Sequence, residues 1–278
     1  MNRKQFIHIA GSAIVLLANG KILNASNLPG LPHENILFRF AIASDGHYGE
    51  ENTNFQDHFS TIVQYINNDH AHHPFRFTVI NGDIVHDDKS FYPAAKQALD
   101  ALNCKYYVSQ GNHDHVTHDE WKSIWGMPVN LDFTYKKCAF LVGTTSNETG
   151  EYLCPDIEWL REKLHQHRNK EVFIFIHINP GALTKHAVDC PRFFELLGHH
   201  KNIKAVFNGH DHDEDGIKVK NNIPFIFDSH FGGSWGTVYR GYRVVEVMND
   251  GSVITYIMNP DHPINKEKIN SYQTSFIN

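Results

Sequence analysis

The sequence predicts an α/β fold of two mixed sheets packed face to face, with helices on the outside. Three observations carry this reading. From residue 36 onward, strand-length apolar runs alternate with helix-spaced segments, the pattern of parallel βαβ units. The last third of the chain switches to hairpin signals, which add antiparallel strands. Five of the apolar runs end in Asp, Asn or His, and the C-terminal edge of an open α/β sheet is where ligands bind.

The elements follow in order. Arg3 and Lys4 form a short positive region, Phe6 to Leu17 is apolar apart from His8 and Ser12, and Ala18-Asn19-Gly20 supplies small residues for cleavage. Residues 1–20 therefore read as an export signal, and Arg3-Lys4-Gln5-Phe6 resembles a twin-arginine signal with lysine replacing one arginine. The apolar run is too short to span a bilayer. The expected product is periplasmic or secreted, starts near Lys21 and carries no membrane anchor; the alternative is a cytoplasmic protein whose N-terminus is a helix packed on the domain. Residues 21–35, with Pro29-Gly30 and Pro32, read as a linker, residues 36–260 as the domain, and residues 261–278 as a polar tail.

Within the domain, Phe38 to Ser44 is the first strand. Thr53 to His70 has helical spacing, with Phe55, Phe59, Ile62, Val63 and Ile66 on one face. Phe77 to Ile80 and Tyr106 to Ser109 are strands around a helix over Ala94 to Leu102. Asp119 to Trp125 forms a short helix, and Asp156 to His167 is amphipathic, with Pro155 and Asp156 as its start signal. Val172 to Ile176 and Ile203 to Phe207 are strands, with a short helix at Phe193 to Leu197 between them. Asn221-Asn222 and Asn249-Asp250-Gly251 each separate two strand patterns, so the C-terminal part reads as mostly antiparallel. Leu131 to Tyr135 and Ala139 to Val142 are expected to join it.

Composition narrows the function. The chain has 278 residues, 41% hydrophobic and 20% charged, an ordinary globular balance. A net charge of −6 with no Lys/Arg cluster argues against a nucleic-acid polymer as partner. Cys104, Cys138, Cys154 and Cys190 show no paired metal spacing and read as free, partly buried thiols, with one or two disulfides, unpairable from sequence, as the alternative in an oxidising compartment.

The strand ends carry the chemistry. They are Asp45-Gly46-His47, Asn81-Gly82-Asp83, Gly111-Asn112-His113-Asp114, His177, and Gly209-His210-Asp211-His212. With 21 histidines in the chain, any one of these would more often be a core or turn residue. Five successive strand ends with the same kind of residue are not explained that way. Carboxylate, amide oxygen and imidazole together suit divalent metals such as Mn, Fe, Zn or Co. Asp45, His47, Asp83, Asn112, His177, His210 and His212 could serve two ions, one carboxylate being shared. Two such ions against two carboxylates leave a positive site, which suits an anionic phosphoryl substrate and a bridging hydroxide. His113 is then the candidate proton donor to the leaving group.

These five segments resemble the calcineurin-like metallophosphoesterase superfamily. Its pattern runs D-x-H, G-D-x-x-D, G-N-H-D/E, a lone H, and G-H-x-H, and the match spans residues 45–212. The resemblance implies the metallo-dependent phosphatase fold, a four-layer αββα sandwich. It also implies two metal ions, divalent or mixed-valence (Mn, Fe or Zn). Asp45, His47, Asp83 and His212 would hold one ion, and Asp83, Asn112, His177 and His210 the other, with His113 as leaving-group acid. The chain looks most like the bacterial cyclic-nucleotide phosphodiesterases. It departs at His86, where the family has the aspartate that orients the acid histidine. Asp87 and Asp114 are the candidates to replace it.

The expected function is hydrolysis of a small phosphodiester. The loops that carry the ligands contain no arginine to grip a dianionic monoester, although Arg240 is positioned to reach them from the second sheet. A phosphomonoesterase is the alternative. A non-catalytic scaffold would have lost ligands that this chain keeps, and a nuclease would show a basic surface. Trp235 and Tyr48 are candidate substrate-stacking groups, and His230 to Gly233 a candidate cleft wall.

Overall fold

The computed structural model describes residues 15–18, 21–24 and 35–259. The remainder of the expected signal, most of the expected linker and the polar tail lie outside the described residues. The described chain folds into a seven-stranded sheet of order β2-β1-β13-β12-β3-β4-β5 and a six-stranded sheet of order β10-β11-β9-β8-β7-β6. The strands are β1 Val15–Ala18, β2 Lys21–Asn24, β3 Ile36–Ala43, β4 Phe75–Asn81, β5 Tyr106–Ser109, β6 Leu131–Tyr135 and β7 Cys138–Gly143. They continue with β8 Glu171–Ile176, β9 Ile203–Asn208, β10 Ile217–Lys220, β11 Ile223–Phe227, β12 Tyr242–Met248 and β13 Val253–Met258. The helices are α1 Phe55–His72, α2 Tyr92–Leu99, α3 His118–Trp125, α4 Ile157–Gln166 and α5 Pro191–Gly198.

Strand alternation sorts the side chains into layers. Phe38, Phe40 and Ile42 of β3 point between the sheets, where they meet Phe140, Phe173, Phe175 and Phe207. Ala41 and Ala43 point the other way, into a core with Phe59, Ile62 and Ile66 of α1 and Leu99 of α2. Leu160 and Leu164 of α4 and Phe193 and Leu197 of α5 cover the outer face of the second sheet. The result is the four-layer αββα order. Central strands buried on both faces read as continuous apolar runs, which is why the sequence shows them so plainly. Phe40 is fully buried and packs on the Phe77, Phe140, Phe173, Phe175 and Phe207 rings.

Local signals worked where their chemistry is short-ranged. Asp156 caps α4 by accepting from the Glu158 and Trp159 amides. Asn221 and Asn222 both take positive φ, the conformation a two-residue hairpin turn requires. The two C-terminal hairpins do not share one sheet, however. The hairpin of β10 and β11 extends the second sheet through a parallel β11–β9 pair, whereas β12 and β13 enter the first sheet beside β3. β6 and β7 lie at the far edge of the second sheet, away from β10. Backbone pairing reaches into two N-terminal pieces as well. β1 lies within the stretch read as an export signal and pairs antiparallel with β13, and β2, at the start of the expected linker, pairs with β1. Residues 21–24 of the expected linker are thus strand-paired, and the β1–β2 hairpin covers the backbone groups of the β13 edge.

The expectation of four free thiols is corrected. Cys154 and Cys190 form a disulfide across 36 residues, with Cα atoms 5.7 Å apart. Cys104 and Cys138 are free and buried. The pairing depends on how α4 and α5 pack side by side, which spacing does not reveal.

Candidate metal centre

All seven candidate ligands and His113 meet at the C-terminal ends of β3, β4, β5, β8 and β9. The turns that place them use uncommon backbone. Asp45, His47, Asp83 and His210 all sit at positive φ, between 48° and 68°. Asp, Asn and His tolerate this region better than other side chains, and such strain gathers at functional sites. The first two turns are zipped together: the Asp45 amide donates to Gly82 O, and the Gly46 and His47 amides donate to Asp83 O. The His210 amide donates to both oxygens of Asp45, 3.0 Å each. Gly209 is required here, since a Cβ would lie 2.0 Å from Ser44 Oγ.

Three groups of possible metal donors result among the described residues: Asp45 with His47 and His212, Asp83 with His177 and His210, and His47 with His86 and His113. The first two are built from the candidate ligands. Asp83 lies between them, with Oδ2 3.1 Å from His177 Nε2 and 3.8 Å from His47 Nε2. Its other oxygen, Oδ1, accepts the His113 amide at 2.8 Å.

Three imidazoles use Nδ1 outward and turn Nε2 inward. His177 Nδ1 donates to Asn81 O at 2.7 Å, and His212 Nδ1 to Trp235 O at 3.1 Å. These bonds put the lone pair on Nε2, as a metal ligand needs. His47 Nδ1 lies 2.9 Å from His86 Nδ1, so His86 serves here as the outer partner of His47. Inside the site, His47 Nε2 and His212 Nε2 lie 3.0 Å apart. Two inward lone pairs facing each other repel unless a proton or a cation lies between them. Asn112 Oδ1, His177 Nε2 and His210 Nε2 are buried without any hydrogen-bond partner. His177 Nε2 is close to Asp83, but the approach is too poorly aligned to be a hydrogen bond. An orphaned buried polar atom is costly, and three such atoms among the candidate ligands fit a cation. The donor set accommodates two metal ions.

The charges support this. Burial disfavours the Asp45 carboxylate, yet His177 and His212 outweigh it and bring its pKa to about 2. Burial likewise disfavours a charged His177, but Asp83 and Asp45 raise it to about 10. His210 is pushed down to about 4, first by burial and then by His177. The carboxylates therefore await positive charge, which protons supply when metal does not.

His113 stands beside the clusters. Its ring stacks on His86 at 4.8 Å and lies 5.0 Å from that of His47. Its Nδ1 donates to Asp87 Oδ1 at 2.7 Å. Burial opposes the protonated ring, and Asp83 and Asp87 outweigh it, so the pKa is raised. Of the two candidates to orient His113, Asp87 makes the contact. Asp114 instead accepts the Ile84, Val85 and Gly111 amides and holds the turns.

The wall of the site includes residues that sequence reasoning undervalued. The His212 ring is sandwiched between His230 at 5.0 Å and Trp235 at 4.2 Å, both nearly parallel to it. Tyr152 packs edge-on against His210 at 4.9 Å. No local signal marked Tyr152, which lies in an irregular loop. Tyr48, a candidate stacking group, is buried among Phe55, Phe59 and Phe91 and faces the α1 layer, so that expectation is corrected. Arg240 donates to Gly233 O and lines a separate cavity with Asn54, His58 and Tyr65 that none of the candidate ligands lines.

Fold and site together define a metal-dependent hydrolase on an αββα sandwich. Residues 38–214 match the calcineurin-like phosphoesterase family, and the chain belongs to it, a hydrolase acting on phosphoric ester bonds. No curated protein matches the sequence. Among solved structures, a dimetal phosphatase from Danio rerio is similar at TM-score 0.59 and 12% identity, over 81% of this chain and 100% of that one. The phosphoesterase YfkN from Bacillus subtilis is similar at TM-score 0.51 and 13% identity, over 84% and 95%. The NAD nucleotidase of Haemophilus influenzae matches at TM-score 0.51 and 15% identity, over 79% of this chain but 48% of its own. At these identities the likeness is one of fold.

Proposed function

We propose that this protein hydrolyses a small phosphodiester, of the cyclic-nucleotide kind or similar, with two divalent or mixed-valence metal ions (Mn, Fe or Zn). Asp45, His47, Asp83 and His212 would hold one ion, and Asp83, Asn112, His177 and His210 the other. When bound, the ions supply Lewis-acid stabilisation of the phosphoryl oxygens and ease deprotonation of a water nucleophile. The chain supplies the rest. Its backbone turns fix the two carboxylates, and Asn81 O, Trp235 O and His86 fix the tautomers of His177, His212 and His47. His113 holds a proton on the ring nitrogen opposite the Asp87 bond and delivers it to the departing oxygen. Asp87 orients the ring and stabilises its charged form.

The observation that favours a diester is the absence of a fixed cation beside the ligands. Among the described residues, no arginine or lysine makes a hydrogen bond or ion pair with the candidate ligands, and Arg240 is engaged elsewhere. A monoanion suits such a site better than a dianion, which is usually gripped by arginine. The acidic chain disfavours a long nucleic acid. Comparing kcat/KM for bis(4-nitrophenyl) phosphate and 4-nitrophenyl phosphate, with Mn, Fe and Zn in turn, tests the choice. A clear preference for the monoester overturns it and leaves the phosphoesterase class standing.

We also place the protein outside the cytoplasm, by removal of residues 1–20, which would take β1 out of the first sheet and leave the β13 edge open. The signal-like N-terminus supports this, as does the Cys154–Cys190 disulfide, since such bonds persist in oxidising compartments. Mass spectrometry of protein from its native host tests it: a mature start near Lys21 is expected, and an intact Met1 in the cytoplasmic fraction refutes it.

A further inference from the structure

Among the described residues, Tyr152, Leu153, Trp235 and Val238 are the large hydrophobics left exposed. Scattered exposed apolar residues need no explanation. Two of these four are not scattered, because each packs on an imidazole of the candidate metal centre. Trp235 lies flat on His212 with 6° between the planes, and Tyr152 meets His210 at 90°. His212 and His210 belong to different clusters, so one exposed aromatic flanks each side of the centre.

Both are held in place. Trp235 accepts the His212 Nδ1 hydrogen bond through its own backbone carbonyl. With His212 stacked on it and His47 4.8 Å away, the residue is still 44% exposed. Tyr152 sits in a loop tied by a bridge to Ser146, by the Leu153 amide to Thr145 O, and by the disulfide at Cys154. Rigid, half-exposed aromatic rings beside a polar centre are stacking platforms, and planar rings of any sequence or substituent bind them through their π faces.

We propose that Trp235 and Tyr152 are specificity-determining platforms, and that the substrate is a phosphodiester whose ester groups carry planar aromatic rings, such as nucleosides. This rests on the phosphodiesterase reading above and narrows it to acyclic diesters, because a cyclic nucleotide carries both ester oxygens on one nucleoside and offers a single ring system. The Trp235 ring lies 6.5 Å from that of His113, the proton donor, so Trp235 takes the ring of the leaving group. Tyr152 takes the ring of the group that stays on phosphorus.

The test uses hydrolysis-inert, monoanionic diester mimics on the manganese-loaded full chain: dimethylphosphinate and methyl(2-naphthylmethyl)phosphinate, compared by calorimetry. The naphthyl probe should bind about tenfold more tightly or better in the wild type. The double variant Trp235→Ala/Tyr152→Ala should lose that gain while dimethylphosphinate binding stays within about twofold of the wild type. The double variant Trp235→Phe/Tyr152→Phe keeps aromatic faces and should retain most of the gain. No gain in the wild type, or a gain that survives the alanine pair, overturns the platforms alone. If the alanine pair also loses dimethylphosphinate, the phenylalanine pair decides: a gain lost there overturns the proposal. Failure of the wild type to bind dimethylphosphinate at all overturns the phosphodiester reading, and the platforms fall with it.

Discussion

Reducing the Cys154–Cys190 bond should destabilise the protein markedly while leaving the metal centre assembled. The bond closes a loop across 36 residues, from the segment before α4 to the start of α5. Constraining a loop of that length removes about 4 kcal/mol of chain entropy from the unfolded state at 25 °C. For a chain of this size, each kcal/mol moves Tm by roughly 2–3 °C, so reduction should lower Tm by roughly 8–12 °C. Cys154→Ala/Cys190→Ala should melt like the reduced wild type, and added reductant should not lower it further. Thiol titration in denaturant without reductant supplies the direct count. With Cys104 and Cys138 the free pair, the wild type should show two reactive thiols. Four thiols, or a melting curve indifferent to reductant, would refute the assignment.

Three further outcomes are expected. Asp83→Ala should weaken both metal ions, because Asp83 lies within 4 Å of a histidine from each cluster; full metal content in that variant sinks the bridging role. His113→Ala should keep its metals and lose turnover by roughly 10²–10⁴-fold for an alkoxide leaving group, and much less for nitrophenolate, which needs no proton; equal losses would argue against an acid role. Metal binding to the metal-free protein at pH 7–8 should release at least one proton, because His177, raised to about 10 by Asp83 and Asp45 against burial, must deprotonate to ligate. Affinity therefore falls as pH falls, and calorimetry in two buffers of different ionisation enthalpy reads the proton count, with zero release refuting the charge assignment. The sign for the metal-free fold is the opposite. The His177 contribution to stability is complete below its ordinary 6.5 and is lost as pH rises through about 10.

The sequence alone was enough for the layers and for gathering the candidate ligands at one sheet edge. Strands buried on both faces must be apolar throughout, so β3, β4, β8 and β9 announced themselves, and residues at their C-terminal ends must face one edge of the sheets. Asp45, Asp83, Asn112, His177, His210 and His212 needed no coordinates to be gathered, because strand direction had already gathered them. What lay outside its reach was whatever depends on the distance between loops. Tyr152 reaches His210, Asp87 rather than Asp114 reaches the His113 ring, and His86 backs His47, all through loops that meet only after the two sheets stack. Tyr48 and Trp235 looked alike in sequence, yet one turns into the α1 core and the other onto a candidate ligand, His212. A turn's residue types limit its backbone, but which way a side chain leaves that turn is decided by the packing on either side. The same holds for Cys154 and Cys190, brought together by the seating of α4 and α5 on one sheet face, and for the two C-terminal hairpins, which one local pattern describes equally well and the tertiary fold assigns to different sheets.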